Sequence, residues 1–278
     1  MTRTLVVLAA VLIAAGTPAQ STRPPDVSTR ALVNAATAYV TEYQQSFAFL
    51  IADETYKQTR SDGSGQIVER RAMKGELFLT YLPVDREWIA VHDIAEVDGE
   101  PVPDRDDLRD LLHKGAELRG IAAKVVARNA RYNIGTIDRN FNEPTLPLLI
   151  FEARRVNNLS VDRTGVTKDG AATIATLSFR EKDSPTLVRG RDASIRATGD
   201  VALEAGTGRI RRTRFLLRDP TVRAELETFY AADEKLGLWV PSIFRERYEA
   251  GRGSARELIN CEAVYTNYRR FAATGRIK

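Results

Sequence analysis

Two histidines, one cysteine and two clusters of charge are the residues of this 278-residue chain most able to do chemistry. Their spacing decides which chemistry is open. His92 lies in an alternating stretch, Glu87 to Val97, and His113 in a helical one, and neither stands at the spacing of a nucleophile motif or a metal-ligand set. His92-Asp93 has two of the residue types of a Ser-His-Asp triad assembled at long range, yet no nucleophile-elbow motif presents the serine. Asp104-Arg105-Asp106-Asp107 has the acidity of a calcium loop without the glycine and terminal glutamate at the required offsets. It reads as a helix N-terminus, where acidic side chains favour the helix dipole. Cys261 alternates with Ile259, Ala263 and Tyr265 on one strand face, which makes it a small core hydrophobe. The expectation is of no catalytic residue, no metal, no cofactor and no enzyme.

The second charge cluster is basic: Arg209, Arg211, Arg212 and Arg214. One reading is a phosphate or anionic-lipid site, and the other is a solvated sheet face neutralised by acids on the next strand. The second is preferred, because Val222 to Tyr230 carries Arg223, Glu225 and Glu227 on alternate positions, ready to face Arg212 and Arg214. No stacking aromatics interleave with the arginines, and the overall balance of 41 Lys+Arg against 37 Asp+Glu is only +4. Nucleic acid is therefore not expected as a partner, whereas contact with an anionic membrane surface is compatible with the charge. Asn158-Leu159-Ser160 matches a glycosylation sequon, a triplet that often arises by chance.

The elements that must hold these residues follow from periodicity. Ser28 caps a helix to about Gln44, with Leu32, Ala35, Tyr39 and Tyr43 as its stripe. Ser46 to Lys57 and Ile67 to Tyr81 form a hairpin around Ser61-Asp62-Gly63-Ser64-Gly65, and Glu87 to Val97 is a third strand ending at the Asp98-Gly99 turn. Helices follow Pro103, with Leu108, Leu111, Leu112, Ile121, Val125 and Val126 as their apolar stripe. The stretch from Asn140 to Phe151 is too interrupted by Pro144 and Pro147 for a long helix and reads as an apolar lid or plug. Six alternating runs then predict strands: 173–180, 200–204, 210–218, 222–232, 243–250 and 257–265.

Residues 1–19 have the form of a signal peptide: Arg3, an apolar run from Leu5 to Ala15, and Thr17-Pro18-Ala19 before Gln20. The expected location is periplasmic or secreted. With Cys261 alone, no intramolecular disulfide is available there, so stability must come from the core, for which 43% hydrophobic residues suffice.

Three stretches carry a family resemblance: Asp200-Val201-Ala202-Leu203-Glu204-Ala205-Gly206-Thr207-Gly208-Arg209-Ile210, Leu238 to Phe244, and Tyr265 to Phe271. Their strand-and-turn rhythm resembles the periplasmic outer-membrane lipoprotein carrier superfamily, well over the last third of the chain and loosely elsewhere. Val97 to Val102 followed by Asp104-Arg105 also looks like a junction found in uncharacterised exported bacterial proteins. The carrier resemblance implies an α+β fold, with a strongly curved antiparallel sheet forming an incomplete β-barrel and helices packed on its concave side. The chain differs from the simple carriers in its length and in a helical insert around 104–151.

Together these readings predict one domain over 20–278 that binds or carries a lipid or other amphipathic ligand in the concave face of the sheet. A non-catalytic structural or sensory interaction module of the envelope is the alternative. Lipid or lipidated protein is the expected partner, and the oligomeric state stays open. The expected border of the ligand space is Leu146, Leu149, Ile150 and Phe151, an apolar cluster that must leave water without joining a regular element.

Overall fold

The computed structural model describes residues 27–47, 49–103, 105, 108–113, 117–137, 139, 143–190 and 193–271. The expected signal peptide and most of the Asp104–Asp107 cluster lie outside the described residues.

Helix α1 (Thr29–Ser46) starts at Ser28, whose hydroxyl accepts from the Ala31 amide at 3.3 Å. Its buried stripe is Leu32, Ala36, Val40 and Tyr43, so Ala35 and Tyr39 flank the stripe rather than form it. Strands β1 (Leu50–Ser61), β2 (Ile67–Leu82), β3 (Glu87–Val97) and the two-residue β4 (Glu100–Pro101) make a first meander. Asp62 closes its first turn by accepting from Ser64 N and Gln66 N, and Asp98-Gly99 closes another with φ of 53° and 89°, the mirror-image turn that suits twisted strands. Helices α2 (Leu108–His113) and α3 (Leu118–Asn129) follow.

The second meander comprises β5 (Leu159–Asp169), β6 (Ala172–Glu181), β9 (Thr198–Glu204), β10 (Ile210–Arg218), β11 (Val222–Asp233), β12 (Leu238–Ala250) and β13 (Glu257–Arg270). A small side pair, β7 (Val188–Arg189) and β8 (Ser194–Ile195), interrupts it. Because β13 returns to pair with β1, the two meanders fuse into an eleven-stranded antiparallel sheet, ordered β4-β3-β2-β1-β13-β12-β11-β10-β9-β6-β5. Its two ends do not pair, so no barrel closes. Register shifts in the β1–β13, β2–β3, β5–β6, β9–β10 and β11–β12 pairs mark bulges, which bend and twist a sheet locally.

One face carries the main core, which runs without a break from Trp88 on β3 through Leu50, Phe244 and Phe215 to Phe179 on β6, filled by α1. The sequence led us to expect every helix on one side of the sheet. The structure divides them. Phe49, Ile51, Phe78, Ile89 and Val91 point to the opposite face, where Leu108, Leu112, Leu118, Ile121 and Val125 of α2 and α3 cover them. The alternation of β1 and β3 makes this possible, since both faces of these strands are apolar. Val126 departs from the expected stripe and is 48% exposed, because one further residue turns about 100° around the helix from Val125.

Gly208 fixes how α1 meets the sheet. It has φ +71°, and a Cβ there would lie 2.1 Å from the Ala35 carbonyl oxygen, so only glycine lets the β9–β10 turn abut the helix backbone.

Candidate functional site

The main-core face is not filled everywhere. Over β3, β2, β1, β13 and β12, a cavity of about 420 Å³ remains, bounded at the outer edge of β3 by α3 and the segment that follows it. This size falls within the roughly 300–1,000 Å³ of small-molecule sites.

Helix α3 forms one wall because β4 pairs only with Glu96 and Val97, leaving most of the outer edge of β3 to be covered. Ile121 and Val125 hold the helix on Ile89 and Val91, and Asn129 Nδ2 donates to the His92 carbonyl at 2.6 Å. Arg128 and Arg105 both reach the buried Asp93 carboxylate. Ala122, Val126 and Asn129 are thereby turned toward the cavity. Met73, Trp88, Ala90, Ile94, Phe244 and Tyr265 add apolar and aromatic wall.

The polar groups of the cavity come from strand positions whose neighbours are apolar. On β1, Glu54 shares a face with Leu50, Ala52 and Tyr56, and on β12 Glu246 shares one with Phe244 and Tyr248. Glu54 is 6% exposed, and both its oxygens lie within 2.9 Å of His92 Nδ1. The carboxylate thus fixes the proton on Nδ1. His92 on β3 can reach Glu54 on β1 because the residue of β2 paired with Glu54 is Gly75, which puts no side chain in the path. Glycine is also required there by packing, since a Cβ would lie 2.3 Å from the Asp93 carbonyl oxygen.

Glu246 accepts from Tyr56 Oη at 2.5 Å and Tyr248 Oη at 2.7 Å. Burial raises its carboxyl above the ordinary range, against the opposing pull of those two hydrogen bonds and of the Arg139 and His92 charges. Burial likewise pushes both phenols well up, and the Glu246 charge adds to the effect, so they stay protonated donors. Arg139 is 4% exposed. Its Nη2 donates to Gln58 Oε1 and its guanidinium lies 5.8 Å from the centre of the Tyr248 ring, while Nε and Nη1 are buried without a hydrogen-bond partner among the described residues.

Glu143 completes the set. Its backbone is placed by Pro144, whose carbonyl accepts from Thr228 Oγ1 and Tyr230 Oη on β11. Burial raises the Glu143 carboxyl to about 8, with the Glu87 charge adding and His92 opposing, and Oε1 has no hydrogen-bond partner among the described residues. At neutral pH this carboxyl is mostly uncharged.

The residues expected to border the ligand space sit elsewhere. Leu146, Leu149, Ile150 and Phe151 lie in the 3₁₀ turn Leu146–Phe151, packed against α1 and β10 in the main core, and none of the four is on the cavity wall. Phe151 is fully buried and contacts the Phe179 ring edge-on. The apolar cluster did leave water, as its composition requires, but in a filled part of the face.

The other chemical groups have structural places. Cys261 is buried on the Ile259–Ala263–Tyr265 face, with its thiol pushed up to about 12, by burial first. Arg212 and Arg214 pair with Glu227, Glu225 and Asp200, and Arg209 and Arg211 pair with Glu204 while lying over the Trp239 ring. His113 packs on Phe271. Among the described residues, no group of three or more His, Cys, Asp or Glu is placed to hold a metal ion, and no helix is long and apolar enough to cross a membrane.

No protein-family model matches the chain, and a search of curated proteins finds no match. Among solved structures it is similar to a DUF1329 family protein from Desulfovibrio piger, at 9% identity and TM-score 0.38, over 89% of this chain and 95% of that one. It is also similar to a putative outer membrane lipoprotein-sorting protein domain from Vibrio parahaemolyticus, at 12% identity and TM-score 0.38, over 87% and 93% of the two chains. A third similarity is to the MucA/MucB complex structure of Pseudomonas aeruginosa, at 9% identity and TM-score 0.18, over 88% and 98%. These are distant likenesses, and the chemistry of the cavity has to be argued from its own residues.

Proposed function

We propose that this protein is a cell-envelope binding or carrier protein whose cavity takes up one amphipathic molecule, with the apolar part against Met73, Trp88, Ile94 and Phe244 and the polar part toward Arg139 and Glu246. The observation that carries this reading is the combination of an apolar wall with buried polar groups that have no partner among the described residues. Such groups cost about 1–3 kcal/mol each when left unsatisfied. An all-apolar void would instead favour simple core, and an all-polar cleft would favour a small solute. The reading is of a binder rather than an enzyme: although His92 and Glu54 form a hydrogen-bonded pair, no Ser, Thr or Cys stands with them on the cavity wall among the described residues. Exported location belongs to the same proposal and rests on residues 1–19.

The interaction-module alternative draws on a different observation. Most of the main-core face, from β6 to β11, is filled by α1 and the Leu146–Phe151 turn, and the hollow lies over the other part, from β3 to β12. Native mass spectrometry of protein purified from its own host separates the two readings. A stoichiometric co-purifying amphiphile supports the carrier, and a bare polypeptide mass at the gentlest ionisation, with no uptake of added amphiphile, favours the module.

A further inference from the structure

Within that reading, the partnerless atoms define which end of which amphiphile the cavity suits. Donors dominate. Arg139 offers Nε–H and the Nη1 hydrogens, and Trp88 offers Nε1–H, all buried and without an acceptor among the described residues. Guanidinium and indole nitrogens cannot accept, so only a ligand bearing acceptor oxygens can satisfy them. The carboxylates nearby do not take this role. Glu54 is held by His92, and Glu246 takes the two phenols. Glu143 carries little charge at neutral pH. The basic side chains on the cavity wall are Arg139, His92, Lys74 and Arg119; Lys74 pairs with Glu96, and Arg119 pairs with Asp85 and Glu87 at the rim. That leaves Arg139 as the inner positive charge, with Nη2 on Gln58 Oε1 and with Nε and Nη1 lacking an acceptor among the described residues.

We propose that Arg139 forms the head-group subsite for a singly anionic, single-chain amphiphile, a carboxylate or a phosphodiester, with its chain running outward past Trp88 and Phe244 toward Val126. Nε and Nη1 each supply a charge-assisted donor to an oxygen of such a group, beside the Nη2 that Gln58 holds. Four carboxyl groups line the cavity, Glu54, Glu87, Glu143 and Glu246, and those that carry charge select against a doubly charged head, since like charges in a low-dielectric site repel strongly. The cavity of about 420 Å³ fits one chain better than two.

The test compares ligands of one chain length on the intact protein at pH 7: dodecanoate, dodecanol, dodecyl phosphate and, for a free anion without a chain, acetate. Dodecanoate should bind about tenfold or more tightly than dodecanol, the scale of a charge-assisted hydrogen-bond pair, and dodecyl phosphate more weakly than dodecanoate. Acetate should not compete at equal concentration. Arg139→Gln should bring the ratio of dodecanoate to dodecanol affinity to about one, and Arg139→Lys should restore part of it. The preference in the parent protein needs no variant, so a misfolded substitution does not remove the test. Equal binding of dodecanoate and dodecanol overturns the head-group subsite and leaves the carrier reading standing. Binding of neither overturns both, and competition by acetate alone makes this a site for small anions instead.

Discussion

Glu143 gives the sharpest numerical consequence of the cavity. Its carboxyl loses its proton near 4.5 in an unfolded chain and near about 8 in the fold. Between those values the native state binds more protons than the unfolded state, so stability falls as pH rises through the window. The contribution is fully present below 4.5 and gone above about 8. At about 1.4 kcal/mol for each tenfold change in proton affinity, the ceiling is ~5 kcal/mol. Glu143 as a whole is only half-buried and its carboxyl borders a cavity, so water moderates the penalty and about 2–4 kcal/mol is the figure to expect. Glu143→Gln keeps the shape and removes the charge. In urea unfolding at pH 5, 7 and 9, the variant and the parent should be nearly equal at pH 5, and the variant should pull ahead steadily to about 2–4 kcal/mol at pH 9. Other raised groups, such as Glu246, are common to both proteins and cancel in the difference. A difference that stays flat across the three pH values would mean that the carboxyl titrates as if in water, and the described wall would be wrong.

Three further outcomes follow from packing. Phe151→Ala should cost about 3–5 kcal/mol and Leu149→Ala about 2–5, seen as lowered urea midpoints, because both fill core rather than cavity; an unchanged midpoint would put the Leu146–Phe151 turn outside the core. Cys261 should resist thiol reagents in native buffer and react on unfolding, and rapid native labelling would show the β13 register to be shifted by one. Gly208→Ala should lower stability by more than about 1 kcal/mol in thermal unfolding, through both its positive φ and the approach to Ala35, and a neutral result would contradict the α1 contact.

Much of the fold was legible because alternation survives where one face of a strand is buried: β2, β3, β10 and β11 match their sequence-derived bounds closely. Strand β5 was missed for the opposite reason. It is the last strand of the sheet and mostly exposed, and from Ser160 to Asp169 only Val161 and Val166 interrupt the polar and glycine positions, at a spacing that gives no apolar period of two. The helices after β3 were visible as stripes, but which face of the sheet they cover depends on β1 and β3 being apolar on both sides, a tertiary fact. The cavity was partly readable. Glu54 and Glu246 each interrupt an otherwise apolar parity, Leu50-Ala52-Glu54-Tyr56 and Phe244-Glu246-Tyr248, and a charge on the inward parity is a signal that alternation alone exposes. Their meeting was not readable, since it depends on the β1–β13 and β12–β13 pairings and on the missing side chain at Gly75. Arg139 and Glu143 had no periodic signal at all. The apolar cluster at 146–151 drew attention as the ligand border because burial is easy to infer from composition, whereas the partner that buries it is not.

The central claim is that the hollow beneath α3 is a binding site. Ala122 lines it from the helix while packing, partly buried, against the second core, so Ala122→Phe adds a ring at the cavity wall, and a urea midpoint close to the parent's shows that this core is kept. Titration of a fluorescent fatty acid into the parent protein should show one saturable site, and the same titration of Ala122→Phe, at unchanged far-ultraviolet circular dichroism, should show binding at least about tenfold weaker. Equal binding by the two proteins, or none by either, would contradict the site.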